Sequence, residues 1–257
     1  MRADRHKGRV VLVTGAGSGI GAAIAEQYAA EGATLALVDI DGQALGKQAD
    51  ILRARGASVA TAVGDVSDFV ACESMHQQLV SSLGLPIDTL INNAGISPKA
   101  NGKPANFWEM APDEWLRVVG VNLNGAFNWA RLVTPAMVAA KRGRIVNMSS
   151  VAAKFYVAFT AAHYGTTKAA LIGLTRDLAG ELGPHGITVN AIAPGRIDTP
   201  LMRTSSAATN EAVINETALR RLGLPSEVAE MACFLTAPES GFVTGQVVDV
   251  AGGWLMT

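Results

Sequence analysis

Seven short runs of β-branched and apolar residues alternate with longer amphipathic segments along this chain of 257 residues. Most runs are bounded by Gly, Pro or Asp and are apolar on both faces, which is typical of parallel strands covered on two sides. The predicted strands are residues 9–14, 34–38, 58–63, 88–91, 144–148, 187–193 and 247–250. The predicted helices are residues 19–31, 43–55, 68–83, 113–141, 162–182 and 225–235, and Pro135 is a candidate for a kink.

This alternation predicts an α/β fold with a seven-stranded parallel sheet, helices on both faces and right-handed crossovers. Ligands of such sheets bind beyond the carboxyl ends of the strands, near the point where the strand order reverses. Residues 95–111 and 194–224 fit no predicted element. Long loops in compact domains are usually functional, so we expect both to border a substrate site. We expect a single domain over residues 1–257, with a substrate lid around residues 195–224.

Charged residues make up only 17% of the chain, and the formal net charge is −1. Ordinary soluble domains carry roughly 25% charged residues. Either the fold buries an unusual share of itself, or another chain covers part of its surface. A neutral balance argues against nucleic-acid binding, which requires a basic excess or patch. No apolar run reaches the roughly 18 residues of a membrane span, so we expect none.

The N-terminus is basic and precedes an uncharged stretch over residues 10–25, as in a secretory signal peptide. Glycines at positions 15, 17, 19 and 21 interrupt that stretch, so we reject this interpretation. Cys72 and Cys233 lie far apart, and neither belongs to a Cys-x-x-Cys pair. Two buried, reduced thiols are therefore favoured over a disulfide. These features predict a soluble, cytoplasmic protein.

A glycine-rich turn over residues 14–21 joins the first predicted strand to the first predicted helix. Glycines allow backbone N–H groups to approach a pyrophosphate closely, and the helix N-terminus adds partial positive charge. The pattern alone is weak, because such turns also form for steric reasons. Its place between a strand and a helix favours dinucleotide binding. The candidate contacts are Gly15, Ser18, Gly19, Ile20 and Gly21.

Asp39 ends the second predicted strand, about 20 residues past the glycine-rich turn. A carboxylate there accepts hydrogen bonds from the adenosine ribose hydroxyls and repels a 2′-phosphate. Neither Ser18 nor Ile40 supplies a cation for that phosphate, so the sequence favours NAD over NADP. The alternative is that Asp39 only caps the next helix, but Asp41 is better placed for that cap. Ile40 is a further candidate cofactor contact.

Tyr164 and Lys168 are four residues apart at the start of a predicted helix, so they project from one helix face. An unperturbed tyrosine has a pKa of about 10 and is a poor acid or base near neutrality. A neighbouring ammonium and a positively charged nicotinamide ring favour the phenolate, so we expect a lowered pKa for Tyr164. A lone Tyr-x-x-x-Lys pattern is common by chance, and a solvated helix face is the plainer interpretation.

Taken together and in order, the motifs resemble the single-domain branch of the short-chain dehydrogenase/reductase family along nearly the whole chain. The resemblance implies a doubly wound Rossmann fold and an oxidoreductase that uses a nicotinamide cofactor. The matching positions are residues 14–21, 65–66, 92–95, 122, 149–150, 164, 168 and 194–199. The catalytic residues implied by the resemblance are Asn122, Ser150, Tyr164 and Lys168.

The resemblance also assigns residues to the adenosine half of the cofactor. Asp65 and Val66, which follow the third predicted strand, match the pair that holds the adenine. Asn93, Ala94 and Gly95 follow the fourth predicted strand and match the segment that lines the adenosine ribose and the inner pocket wall.

At the reacting end, the resemblance gives Lys168 a second role in binding the nicotinamide ribose. It implies that Ser150 hydrogen-bonds the substrate oxygen and that Asn122 holds a water linking Lys168 to solvent. Alcohol oxidation needs a base, an oxyanion donor and a hydride acceptor, which Tyr164, Ser150 and NAD would supply. No histidine sits at metal-ligand spacing, so no metal is expected. The matches to the segment that orients the nicotinamide are Pro194, Gly195, Ile197 and Thr199.

The sequence departs from the family pattern in two places. The interval between Ser150 and Tyr164 is one residue longer than is common, so we expect the intervening loop to bulge. Ser149 is an alternative for the serine role, although Ser150 closes the gap better. Tyr156 cannot replace Tyr164, because no lysine follows it at the same spacing. Ala251 stands where the family often has an acid near the C-terminus, which affects only a local turn.

The substrate contacts expected from the sequence are Ser150, Ala152, Tyr156 and Tyr164. The loops around them are mostly apolar, which favours a secondary alcohol or ketone with a hydrophobic substituent over a polyol. Three cations are close enough in the sequence to reach an acidic substituent, although each is more typical of a solvated surface. They are Lys99, Lys154 and Arg203.

Wide apolar helix faces and an apolar tail over residues 252–256 predict a homo-oligomer, and the resemblance implies a homotetramer. The expected partner is a small-molecule alcohol or ketone, with no nucleic acid and no membrane. The leading hypothesis is an NAD-dependent secondary alcohol dehydrogenase. One alternative is an NADPH-dependent 3-oxoacyl carrier-protein reductase, which Asp39 opposes. The other is a catalytically silent nucleotide-binding interaction protein, which the intact Ser150, Tyr164 and Lys168 oppose.

Overall fold

The computed structural model describes residues 4–99, 102–200, 202–254 and 256. Their strands form one seven-stranded parallel sheet of order β3-β2-β1-β4-β5-β6-β7, which confirms the predicted doubly wound α/β fold. The strands are β1 (Val10–Thr14), β2 (Thr34–Asp39), β3 (Val59–Val63), β4 (Thr89–Asn92), β5 (Gly143–Met148), β6 (Ile187–Pro194) and β7 (Val247–Val250). The order reverses between β1 and β4, where Val11 pairs with Thr89, so a crevice opens there at the carboxyl ends of the strands.

The described residues form eight α-helices. They are α1 (Gly19–Ala30), α2 (Gly42–Ala54), α3 (Phe69–Leu83), α4 (Pro112–Val119), α5 (Gly125–Ala140), α6 (Ala162–Leu182), α7 (Ala207–Glu216) and α8 (Pro225–Thr236). Six of them, α1, α2, α3, α5, α6 and α8, cover the two faces of this sheet. Alternation along β1 divides the core: Leu12 packs on the face of α3, α5 and α6, and Val13 on the face of α1, α2 and α8. Both side chains are fully buried, which explains why the strands are apolar throughout.

The helix predicted over residues 113–141 is interrupted, which corrects the sequence-based prediction. A π-helical turn, Gly120–Asn124, separates α4 from α5. Gly125 begins α5 where a side chain would lie 2.8 Å from Val66 Cγ2, so close packing against the β3 loop requires a glycine there. Pro135, the candidate kink, lies inside α5, which continues past it. π-turns are frequent at functional sites, and this one holds Asn122.

The segment 194–224, expected to hold no element, contains α7 and a short 3₁₀ turn, Met202–Thr204. Ser206 caps the N-terminus of α7, because its hydroxyl accepts a hydrogen bond of 3.1 Å from the Thr209 amide. A further 3₁₀ turn, Phe107–Glu109, lies in the other long loop. The remaining elements agree with prediction to within a few residues, as terminal turns allow.

Cys72 and Cys233 are both buried and both free, which confirms the predicted pair of reduced thiols. Burial raises the pKa of the Cys72 thiol to about 12. Over the described part of the chain, no helix combines the length and the apolar character needed to cross a bilayer.

Candidate active site

A cleft of about 440 Å³ opens at the carboxyl ends of the central strands. It brings together residues from nearly every predicted motif, although these lie as far apart in sequence as Gly15 and Thr199. The predicted residues that line it are Gly15, Ser18, Gly19, Ile20, Asp39, Ile40, Asp65, Val66, Asn93, Ala94, Gly95, Ser150, Ala152, Tyr164, Lys168, Pro194, Gly195, Ile197 and Thr199. Three predicted residues lie outside this lining: Gly21, Asn122 and Tyr156.

The glycine-rich turn is built so that only glycine fits at key positions. Gly15 and Gly19 have φ angles of +65° and +56°, which disfavour any side chain. A Cβ on Gly21 would lie 2.6 Å from Asn93 Nδ2 and closer still to the Gly15 carbonyl oxygen. Gly21 therefore packs against the Gly15 carbonyl and the Asn93 side chain, and it does not line the cleft. The turn leads directly into α1, whose N-terminus faces the cleft, so the site fits a pyrophosphate.

Asn93 holds this turn against the end of β4. Its Nδ2 donates to the carbonyl oxygens of Thr14 and Gly15, at 2.9 and 3.1 Å. The amides of Asn93 and Ala94 both donate to the Thr14 hydroxyl at 3.0 Å. The Asn93 side chain is thus used within the protein, which leaves its backbone and that of Ala94 to line the cleft.

Asp39 does not cap α2, which was its alternative role. Its Oδ2 accepts from the Gly17 amide at 2.8 Å, and its Oδ1 accepts from the Asp41 amide at 2.9 Å. Asp41 caps α2 instead, accepting from the amides of Gln43 and Ala44 at 3.0 Å. The carboxylate of Asp39 is therefore fixed beside the glycine-rich turn, on the wall of the cleft.

Asp65 and Val66 are also fixed by neighbours. The Asp65 carboxylate accepts from the amide and the hydroxyl of Ser67, each at 2.8 Å. The Val66 carbonyl accepts from Asn128 Nδ2 at 2.9 Å. These hydrogen bonds hold Asp65 and Val66 in place, and both residues line the cleft together with the glycine-rich turn.

Ser150, Tyr164 and Lys168 meet at the other end of the cleft. Ser150 follows β5, and Tyr164 lies in the first turn of α6. Lys168 follows one turn later, with its Nζ 5.7 Å from the centre of the Tyr164 ring. That Nζ donates to the Met148 carbonyl at 2.7 Å, which holds the lysine between α6 and β5.

Burial shifts the pKa of both Tyr164 and Lys168. Desolvation raises the pKa of Tyr164 above its ordinary value, while a hydrogen bond with Ser150 and the charge of Arg196 act to lower it. Burial lowers the pKa of Lys168 to about 8. In the chain itself, the cost of desolvating the Tyr164 phenolate therefore outweighs the effects of Ser150 and Arg196. The expected lowering of the Tyr164 pKa included the charge of a bound nicotinamide ring, so it stays a prediction.

The structure separates the two candidate serines. The Ser149 hydroxyl donates to the Lys168 carbonyl at 2.8 Å and is buried beneath α6. The Ser150 hydroxyl accepts from the Ala152 amide at 3.1 Å. Both serines line the cleft, but only the Ser149 hydroxyl donates to a backbone carbonyl. The loop that is one residue longer than usual begins with a 3₁₀ turn, Val151–Ala153, capped by Ser150. This geometry favours Ser150 for the role at the substrate oxygen.

Asn122 lies behind the cleft, where it positions the loop after β4. Its Oδ1 accepts from the Ile96 amide at 2.8 Å, and its Nδ2 donates to the Ile96 carbonyl at 3.0 Å and to Thr167 Oγ1 at 3.3 Å. Gly95 separates it from Lys168, since a Cβ on Gly95 would lie 3.2 Å from Lys168 Nζ and 3.4 Å from Asn122 Oδ1.

Tyr156 is not brought to the cleft, which corrects its prediction as a substrate contact. Its side chain is 85% exposed and lines a neighbouring hollow, which shares Val157, Phe159 and Trp254 with the cleft. The loop that carries Tyr156 turns Phe159 inward instead, and Phe159 stacks with Trp254 at a centroid distance of 6.0 Å. In an irregular loop, no periodic pattern in the sequence tells which aromatic side chain faces solvent and which faces inward. The sequence could therefore not distinguish Tyr156 from Phe159.

The histidines take no part in the cleft lining. His163 is buried, and its Nε2 lies 2.9 Å from Glu114 Oε1 on α4. His6 lies near Glu31 and Cys233, and these are the only three metal-ligand side chains that cluster within the described residues. Arg5 pairs with the Glu31 carboxylate, so a protein cation already neutralises that group.

Sequence reasoning missed two charged residues of the cleft lining: Arg117, on α4, and Arg196. Arg196 stands inside the segment 194–199, between residues assigned to the cofactor, and its side chain lines the cleft with Lys99. The available signal for Arg196 was a cation at the carboxyl end of a predicted central strand, where ligands bind.

The fold is a parallel sheet with a glycine-rich turn and a fixed acid at the end of the second strand. One cleft also contains a serine, a tyrosine and a lysine. Together these features define an oxidoreductase that binds a nucleotide cofactor. Comparisons with known proteins agree. A family profile described as Enoyl-(Acyl carrier protein) reductase matches residues 15–255. The chain belongs to the short-chain dehydrogenase/reductase family.

Relatives match along nearly the whole chain. The 3-oxoacyl-(acyl-carrier-protein) reductase of Thermotoga maritima is 37% identical over 249 residues, which cover 97% of this chain and 98% of that protein. A hydroxy(phenyl)methylsuccinyl-CoA dehydrogenase subunit of Thauera aromatica is 37% identical over 245 residues, covering 95% and 96%. A crystal structure of a 3-oxoacyl-(acyl-carrier protein) reductase with bound NAD from Brucella melitensis is 48% identical, with a TM-score of 0.93 and coverage of 99% and 94%.

Proposed function

We propose that the protein interconverts a secondary alcohol and a ketone with NAD(H), and that Tyr164 is the general acid–base. The observation that carries this proposal is the convergence of Ser150, Tyr164 and Lys168 at one end of a cleft whose other end holds the glycine-rich turn and Asp39. The neighbouring hollow beside Tyr156 contains neither the glycine-rich turn nor Ser150, Tyr164 or Lys168.

In the oxidising direction, the Tyr164 oxygen accepts the hydroxyl proton of the substrate, and Ser150 donates a hydrogen bond to the oxygen that becomes the carbonyl. When bound, NAD accepts the hydride that leaves the carbinol carbon, so the alcohol loses two electrons and two protons in all. Lys168 lies beside Tyr164 and stabilises the phenolate by its charge. The desolvated phenol has a raised pKa, so this assistance is needed near neutral pH.

The cofactor is NAD in this proposal, as the sequence predicted. Asp39 is held at the cleft wall by two backbone amides, and in this proposal it binds the adenosine ribose. A 2′-phosphate there would meet a carboxylate. The proposal places Pro194, Gly195, Ile197 and Thr199 at the nicotinamide, and Lys168 also at its ribose. The NAD bound in the Brucella melitensis relative supports this choice.

A second candidate function is reduction of a 3-oxoacyl thioester with NADPH, which the names of relatives at 37% and 48% identity favour. Asp39 opposes it. Turnover of NADH against NADPH with a 3-oxoacyl thioester, and of NAD with secondary alcohols, separates the two. The catalytically silent alternative predicts no turnover with any of these substrates.

We further propose that residues 195–224, which include α7, act as the substrate lid of one catalytic domain. A homotetramer is proposed because α4 and α5 expose large apolar side chains, among them Leu116 at 63% and Phe127 at 53%. A cytoplasmic location is proposed because both thiols are free and buried.

The test is Tyr164→Phe, which keeps the ring and removes the proton-transfer oxygen. We expect turnover to fall by at least roughly 100-fold, because a positioned acid–base contributes about 10²–10⁴-fold. Binding of NADH, followed by its fluorescence, should stay within about twofold of wild type. Retained turnover would refute the role of Tyr164, and turnover by neither protein on any alcohol or ketone would refute the proposed function.

A further inference from the structure

Two cations converge on the substrate end of the cleft. Lys99 comes from the loop after β4 and Arg196 from the segment after β6, and both line the cleft with Tyr164. Lys99 Nζ lies 5.8 Å from the centre of the Phe159 ring, and Arg196 Cζ lies 4.7 Å from the same centre. Three loops that are distant in sequence thus place two positive charges around one aromatic ring.

Neither cation is neutralised by an acid. Arg196 donates to Asn210 Oδ1 and to the Met202 carbonyl, and Lys99 donates to Ser205 Oγ at 2.5 Å. All of these acceptors are uncharged. Neither Lys99 nor Arg196 takes part in any ion pair found in the described parts of the chain.

The other cations considered from the sequence behave differently. Lys154 pairs with Asp249 at 2.8 Å. Arg203 pairs with Asp198 at 3.5 Å and its side chain is 71% exposed. Neither lines the cleft. Of the three cations considered from the sequence for an acidic substituent, only Lys99 lines the cleft, and neither Lys99 nor the neighbouring Arg196 has a carboxylate partner among the described residues.

Lys99 and Arg196 both keep unused donors. A guanidinium has five N–H donors, and Arg196 uses those of Nε and Nη2, so its Nη1 carries no hydrogen bond to the described residues. An ammonium has three donors, and Lys99 uses one, on Ser205. Asn210 receives bonds from both Nε and Nη2 and so fixes the guanidinium plane. The site is thus preorganised to donate further hydrogen bonds.

The arrangement is unfavourable without a counter-charge. Burial lowers the pKa of Lys99, and the charge of Arg196 lowers it further. Burial also lowers the pKa of Arg196, while the Tyr164 phenolate acts to raise it. An anion between the two cations would relieve both the desolvation and the mutual repulsion. Charge-assisted hydrogen bonds to such an anion are among the stronger polar interactions in proteins.

We propose that the substrate carries an anionic group, a carboxylate, sulfonate or phosphate, which Lys99 and Arg196 bind together while its carbinol or carbonyl carbon faces Tyr164. This inference rests on the proposed function and names the substrate class of that same site. Both cations line the cleft together with Tyr164, so the bound anion would lie near the reacting carbon. A long acyl thioester, whose charges lie far from its 3-oxo group, places no anion there.

The experiment compares small secondary hydroxy acids with their methyl esters, and adds the matching hydroxy sulfonates and phosphates, using the full chain with NAD. Arg196→Gln and Lys99→Met each remove one cation, and Arg203→Gln is the matched control on the same segment. We expect wild type and Arg203→Gln to prefer the charged member of at least one pair by roughly 10- to 100-fold in kcat/KM. Arg196→Gln and Lys99→Met should lose that preference, mainly through KM.

A measurement of anion binding tests the anion site independently of whether the protein turns over any alcohol. Malonate, sulfate and phosphate are titrated into each protein with NADH bound, at constant ionic strength, and the melting temperature is recorded. At least one anion should stabilise wild type and Arg203→Gln more than Arg196→Gln or Lys99→Met. Anion binding without turnover of any alcohol would refute the proposed function and keep the anion site. Equal responses of all four proteins, or a preference for the esters that Arg196→Gln leaves unchanged, would overturn the anion site.

Discussion

Replacing Gly21 by alanine tests whether the glycine-rich turn is set by steric exclusion. The added Cβ would lie 2.6 Å from Asn93 Nδ2 and 2.8 Å from the carbonyl carbon of Gly15. Both neighbours are held in place, because Asn93 Nδ2 bonds to Thr14 and Gly15. The alanine must therefore push the turn away from β4 or displace the Asn93 amide.

The magnitude follows from these contacts. Loss of two hydrogen bonds costs about 0.5–1.5 kcal/mol each, and overpacking a tight site adds about 1–3 kcal/mol. We expect Gly21→Ala to lower the free energy of unfolding by about 2–6 kcal/mol. NADH affinity should fall by at least roughly tenfold, since a shift of even 1.4 kcal/mol in binding has that effect.

The assay is urea unfolding followed by circular dichroism, with NADH titration by fluorescence. Gly46→Ala is the matched control, because Gly46 lies in α2 with nothing within 4 Å of an added Cβ. That change should leave NADH binding unaltered and raise the free energy of unfolding by about 0.5–1 kcal/mol. The steric reasoning fails if Gly21→Ala unfolds and binds NADH as wild type does.

Three further predictions concern charge. Asp39→Asn keeps the size of the side chain and removes its repulsion of a 2′-phosphate, so the ratio of NADP to NAD turnover should rise at least roughly tenfold; an unchanged ratio would contradict the selectivity assigned to Asp39. Lys168→Met should abolish turnover yet raise the free energy of unfolding at pH 7, because burial holds the pKa of Lys168 at about 8 against an ordinary 10.5. The unfolded chain then binds more protons between those two values, so the stability of wild type rises with pH across that interval and its deficit against Lys168→Met shrinks; unfolding curves at pH 7 and pH 10 check this, and a constant deficit would contradict it. Arg196→Gln removes a cation that lowers the pKa of Tyr164, so the rising limb of kcat for alcohol oxidation at saturating substrate should move to higher pH; a limb that stays in place or moves to lower pH would refute the electrostatic coupling.

The sequence was sufficient to predict those parts of the structure that depend on a single local pattern. The apolar runs identified the sheet, because parallel strands such as β1 are buried on both faces. The choice between Asp39 and Asp41 as helix cap also followed from position alone, and the hydrogen bonds agree with it.

Other features depend on contacts between distant segments, which one sequence does not reveal. At the π-helical turn between α4 and α5, Gly125 packs closely against Val66, a residue about 60 positions earlier. The inward position of Arg196 depends on Asn210 in α7, a helix whose weakly amphipathic sequence was taken for a loop. The raised pKa of Tyr164 depends on how tightly other loops enclose it.

The strand order has a consequence for the chain as it is being made. β1 can pair with β2 soon after both are synthesised, but its other edge waits for β4, which follows roughly 80 residues later. At translation rates of about 5–20 residues per second, that edge stays open for on the order of 4–16 s. An open row of apolar β-branched residues is a template for pairing with other nascent chains. Synthesis with a chaperone that shields β1 should therefore raise the yield of folded protein more than any change made after β4 has emerged.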